Sequence, residues 1–200
     1  MSFFRFSIVC LLLCSCNSVY TPKQRGYFKI DFPAHEYQTF DQPGFPYTFE
    51  YPVYARILKD SSFFDTIPEN PYWINIEFPR FNGRIYVSYK DIGGRTVKGG
   101  PGNSFEKLRD DAFKMAYKHS VKASSIDQTV IQTANGIGGI YFNVGGNAAT
   151  ANQFFLSDTT KHFLRGALYF DTTPNEDSLA IVNKFLEKDM EHMINTFKWK

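Results

Sequence analysis

Apolar and polar positions alternate along much of the chain with a period of two. The clearest stretch is Tyr72 to Phe78. Tyr72, Ile74, Ile76 and Phe78 fall on one side, Trp73, Asn75 and Glu77 on the other, which predicts a half-buried strand. Pro79 ends it, Asn82-Gly83 supplies turn residues, and Ile85, Val87 and Tyr89 resume the alternation. Residues 72–89 therefore read as a β-hairpin. A second hairpin is expected from 153–156 and 162–170 across a Ser157-Asp158-Thr159-Thr160 turn. Strand 162–170 carries apolar side chains on both sides, as a central strand does. Further strands are expected at 27–32, 47–51, 126–131 and 137–144, with breaks at Asn135-Gly136 and Gly145-Gly146-Asn147.

Twice the period becomes helical. Phe105, Leu108, Ala112, Met115 and Ala116 share one face of a helix running to about His119, and Asn103 and Glu106 have capping-box spacing at its start. Leu179, Val182, Phe185, Leu186, Met190 and Met193 share a face to about Thr196, behind acidic Glu176 and Asp177, which suit a helix N-terminus. This Met and Phe stripe reads as a core face. Phe197 and Trp199 are expected to pack the tail back onto the domain. The order strands, helix, strands, helix, dominated by hairpins, predicts an α+β fold with a mostly antiparallel sheet, a middle helix and a C-terminal helix.

The N-terminus changes the setting. Arg5 supplies one positive charge, and Phe6 to Leu13 is almost wholly apolar. That run is too short for a bilayer, which needs ~20 apolar residues, and it fits the apolar part of a signal peptide, ~7–15 residues. Leu13-Cys14-Ser15-Cys16 follows and resembles the lipobox of bacterial lipoproteins. The expected organisation is a signal peptide over 1–15, lipidated Cys16 with a tether over 16–26, and one globular domain over 27–200. The membrane link would be the lipid alone. All three cysteines, Cys10, Cys14 and Cys16, lie in this segment, so the domain can hold neither a disulfide nor a thiolate zinc site. Asn17 follows the cysteine with no acidic run behind it, which points to the periplasmic side.

Aromatic residues make up 18 % of the chain, with 21 Phe and 12 Tyr, so the core is well supplied without cross-links. A net charge of +2 without a dense Lys/Arg cluster argues against nucleic acid. Gly136, Gly138 and Gly139 precede a strand, whereas a dinucleotide loop needs a helix there. Gly99-Gly100-Pro101-Gly102 lacks the Lys-Ser/Thr of a nucleotide loop. His35, His119, His162 and His192 are scattered, with no HExxH. No catalytic residue, metal or cofactor is expected. Ser157, Asp158 and His162 share one turn, where a nucleophile and its base seldom face each other. Asp158 and Thr159 are expected to bond nearby backbone amides instead. Asn147, Asp158, Lys161 and Arg165 are the candidate interface residues, Arg165 as anchor, since Arg is enriched at binding hot spots. The alternative is an envelope enzyme or small-ligand-binding lipoprotein, with a deep pocket gathering His119, Asp158, His162 or Arg165.

Several segments resemble a known family: Tyr27 to Asp31, Tyr47 to Ala55, Trp73 to Pro79, Ala116 to His119, Gly145 to Ala149, and above all Gln153 to Phe170. They are similar to the gliding motility lipoprotein GldD family of the Bacteroidota, over about Gly26 to Lys200. The resemblance implies a cell-envelope lipoprotein required for gliding and associated with type IX secretion, working beside the protein components of that apparatus. It carries no catalytic residues. The arrangement of elements also resembles the PsbP/Mog1-type α-β-α sandwich, a likeness of fold and not of chemistry.

Overall fold

Period-two segments become strands here because a face they share is apolar. In chain order these are β1 (Tyr37–Phe40), β2 (Tyr47–Pro52), β3 (Arg56–Lys59), β4 (Ile74–Phe78), β5 (Gly83–Asp91), β6 (Ala123–Gln132), β7 (Gly138–Gly146), β8 (Asn152–Ser157), β9 (His162–Phe170) and β10 (Lys198–Trp199). The helices are α1 (Phe105–Tyr117) and α2 (Glu176–Thr196). The computed structural model describes residues 29–59, 68–93 and 102–200. Seven strands form one sheet in the order β3-β4-β5-β9-β8-β7-β6, and β1-β2-β10 form a small one. Every named pairing is antiparallel. This is the expected α+β class.

β9 lies between β5 and β8 and is buried from Phe163 to Leu168. Phe163 faces α1, meeting Phe155 at 5.2 Å between ring centroids, in a cluster with Leu108, Ala112, Ala116 and Phe142. Leu164 and Leu168 face the other way, into the main core with Ile74, Ile76, Val87, Leu186, Met190 and Met193. Each such side chain contributes roughly 1.5–3 kcal/mol when fully buried. The small sheet shares that second face through Phe40, Tyr47 and Phe49. At Gly166 the ring of Phe154 occupies the space of the missing side chain: a Cβ there would lie 2.4 Å from two ring carbons. The tail packs back as expected. Phe197 is fully buried beside Tyr47, and β10 pairs with β2.

Several expectations are corrected. In the strand expected at 27–32, Tyr27 and Phe28 lie outside the described residues, and Lys29 to Phe32 are not in a strand. Phe32 instead stacks on Phe185 of α2 at 4.4 Å, and the first strand is β1. Short β1 and β3 had no alternation long enough to read. The cap of α1 is Ser104, whose hydroxyl accepts from Lys107 N at 3.2 Å, because Asn103 bridges to Ile92. Met115 is exposed. Trp73 and Asn75 are buried, not solvent-facing; the Trp73 indole N–H donates to Tyr89 O at 2.7 Å. Much of the expected Gly-rich loop, 94–101, lies outside the described residues.

The aromatic core fixes how the domain responds to alkali. Burial pushes the Tyr37 phenol up to about 12, helped by the Asp189 charge, and raises Tyr47, Tyr54, Tyr89 and Tyr141 further. A folded pKa above the unfolded value near 10.0 gives stability that is complete below that pH and lost as pH rises through the folded value. The domain is therefore expected to keep a constant melting temperature up to about pH 10 and to lose stability steeply toward pH 12. Tyrosinate absorbance should rise in step with the loss of near-UV circular dichroism. A full tyrosinate signal from a still-folded domain contradicts this burial.

Candidate functional site

The turn from Ser157 to His162 is built around one carboxylate. Asp158 Oδ1 accepts from the backbone N–H groups of Thr160 at 3.0 Å and of Lys161 and His162 at 2.8 Å each. Partial burial works to raise this carboxyl, but the three N–H bonds and the nearby His162 outweigh it and hold it below the usual carboxylate value. Ser157 Oγ donates to His162 O at 2.7 Å and accepts from Thr159 N at 2.9 Å. Its proton is therefore directed at a carbonyl and not at an imidazole. The His162 ring is engaged elsewhere: Nδ1 lies 2.6 Å from the Tyr89 hydroxyl, which donates to Asp91 Oδ1 at 2.8 Å, and the ring stacks on Trp199. No Ser-His-Asp relay forms in this turn. Thr159 adopts φ 63°, a left-handed conformation costly for a β-branched residue. Lys161 is exposed.

The four candidate interface residues do not make one surface. Asn147 follows β7 and Asp158 follows β8, so they lie toward opposite ends of β8, a strand of six residues and therefore about 20 Å apart. The Asn147 side chain accepts from Glu176 N at 2.9 Å and ties the loop to the start of α2. Arg165, expected as the surface anchor, is only 8 % exposed. Its Nη2 donates to Gln153 Oε1 at 2.5 Å, it also bonds the Tyr169 hydroxyl, and burial lowers its pKa. The reason is the strand's own alternation: position 165 shares the α1-facing side with Phe163 and Ala167, between β5 and β8. Nor do His119, Asp158, His162 and Arg165 gather in one pocket. His119 and Arg165 are on the α1 side of the sheet, and His119 is held below its usual value by burial and by the Arg165 charge. His162 faces the other side, with Trp199.

A constellation that no short motif announced sits on α2. Asp189 is 1 % exposed, within the apolar stripe of Val182, Leu186, Met190 and Met193. Its Oδ1 meets His35 Nδ1 at 2.7 Å and accepts from the Tyr37 hydroxyl at 3.1 Å, and its Oδ2 accepts from the Tyr54 hydroxyl. Beside them, His192 stacks on Tyr37 at 3.5 Å and bonds Glu50 at 2.7 Å. The readable signal was an acid at a core position of the last helix; a buried charge requires partners. Those partners lie 154, 152 and 135 residues away in the chain, and nothing local named them. Chemically, the carboxylate orients one imidazole and accepts from two phenols, which pins the segment entering the domain to the last helix. Asp189→Ala is expected to cost about 3–5 kcal/mol, because three donors lose a buried acceptor, while Asp189→Asn keeps an oxygen and should cost less. Urea unfolding of both variants measures this; an Ala variant as stable as the parent removes the tie.

Among curated proteins none matches the chain. The solution structure of cyanobacterial PsbP from Synechocystis sp. PCC 6803 is similar over 84 % of this chain and 95 % of its own, at a TM-score of 0.44 and 11 % identity. Residues 17–199 match the family described as gliding motility lipoprotein GldD. That match begins one residue after Cys16 and ends within β10, so the chain belongs to the GldD family of gliding motility lipoproteins.

Proposed function

We propose that the chain is exported, cut before Cys16 and acylated there, and that its periplasm-facing domain serves the gliding apparatus as a non-catalytic accessory associated with type IX secretion. The observation that carries this reading is the family match over 17–199. The site geometry supports it, since these candidate polar groups are engaged inside the fold: Asp158 on backbone amides, Asp189 on His35 and two tyrosines, His162 on Tyr89. No helix among the described residues is long and apolar enough to cross a membrane, and two or three acyl chains suffice for stable attachment where one does not. Of the surface candidates, Lys161 and Asn147 remain exposed; Asn147 is bound to Glu176 N, and we assign Lys161, at the other end of the sheet, to contacts with protein components of the apparatus.

Two measurements test this. Deletion of the gene should abolish colony spreading, and the restored gene should recover it; normal spreading in the deletion strain would end the functional reading. Cys16→Ser should reduce metabolic labelling by an alkyne fatty acid to background, and labelling that survives the substitution places the lipid elsewhere. For the contact, Lys161→Glu is expected to impair spreading at unchanged abundance and melting temperature, because the side chain is exposed and its backbone bond to Asp158 is kept. Spreading like the parent's would remove Lys161 from the interface.

A further inference from the structure

One end of the seven-stranded sheet brings together four segments far apart in sequence. β9 finishes there, and Asp171 N donates to Asn82 O at 2.9 Å. Next to Asn82, Arg80 Nη2 donates to Asp31 O at 3.0 Å. His119 packs its ring edge-on to Tyr169, near the end of β9. The loop after α1, Lys118-His119-Ser120-Val121-Lys122, therefore projects at the same end of the sheet as Asp31.

That loop has the composition of a lipid-contacting tip. Val121 is 88 % exposed, the most exposed large hydrophobic among the described residues, and it is flanked by exposed Lys118 and Lys122. The three line a cleft of about 410 Å³ with His119, Asn147, Ala149, Thr173 and Pro174. Every charged side chain in that lining is a cation. Asp31, Asp171 and Asp177 also lie toward this end, but none lines the cleft, and Glu176 is turned onto the Gly146 N–H. Behind His119 lies Arg165, a buried guanidinium with no ion pair among the described residues. The amide nitrogen of its partner Gln153, itself 1 % exposed, finds no acceptor. Buried charges are ordinarily paired, so an unpaired one adds positive potential beneath the loop. The tether is itself basic: residues 17–30 hold Lys23, Arg25 and Lys29 and no acid. Basic residues beside a lipid anchor are drawn to anionic headgroups, and an apolar residue set among them gains by leaving water.

We propose that the Lys118–Lys122 loop is a membrane-contact tip, with its lysines among anionic lipid headgroups and Val121 inserted between them while the acyl tether holds the domain close. This rests on the lipidation of Cys16. Cys16 is the only cysteine left after cleavage and its thiol is blocked by lipid, so Val121→Cys offers one site for an environment-sensitive fluorophore. The acylated protein is placed in vesicles of phosphatidylcholine alone or mixed with phosphatidylglycerol. Emission at 121 should shift to the blue only in the anionic vesicles. The shift should fade as salt is raised, because the Debye length falls to roughly 3 Å at molar salt. It should be lost in Lys118→Glu/Lys122→Glu, which must still float with the vesicles. A probe at Val130→Cys, 74 % exposed on β6 but toward the other end of that strand, should not shift. On the unlabelled protein, backbone amides 118–122 should exchange more slowly in anionic vesicles. No shift at 121 in a protein that floats, an equal shift in phosphatidylcholine alone, or an equal shift at 130 overturns the tip while leaving the anchor intact. A protein that does not float shows instead that the Cys16 reading has failed, and the tip falls with it.

Discussion

The fold depends on covering both faces of β9. Its run from Phe163 to Leu168 is buried, and a strand apolar on both sides is stable only inside a layered structure. α1 supplies one cover. α2 and the small sheet supply the other, and without the return of the tail through Phe197 and β10 that second face would lack part of its aromatic packing. The exposed polar positions are left to the periphery: β6, the loops and the turns.

Polar groups caught inside this sandwich act as constraints. Asp189 links α2 to the segment carrying His35 and Tyr37, and to Tyr54 ahead of β3. Removing water from a carboxylate is costly, and the cost is offset only if its partners are held in place; the tie therefore specifies where the entering chain sits. Arg165 is the opposite case, with neutral partners and no counter-charge among the described residues. In a protein of the GldD family, Asp31 and the loop above Arg165 lie at the same end of the sheet.

Much of the strand and helix inventory was legible because it rests on local periodicity. The 72–89 hairpin, the 162–170 strand and the C-terminal helix follow from apolar side chains at spacings of two or three to four. The short strands β1 and β3 were not legible: four residues are too few to show a period. The cap of α1 moved from Asn103 to Ser104 because a pairing with Ile92, remote in the turn chemistry, claimed Asn103. For the candidate site, the Asp158 turn was readable because its bonds run only two to four residues along the chain.

The amino-acid sequence by itself determined the period of each long element, the antiparallel α+β class and the family. All of these are properties of neighbours along the chain. The tertiary structure alone decided which residues meet. It put Asn147 and Asp158 toward opposite ends of β8, turned Arg165 inward, gave Asp189 its three partners, and set the loop after α1 at the sheet end that holds Asp31. Strand order and layer packing make those choices, because a side chain's direction is fixed locally but the surface it meets is fixed by whichever distant segment covers it.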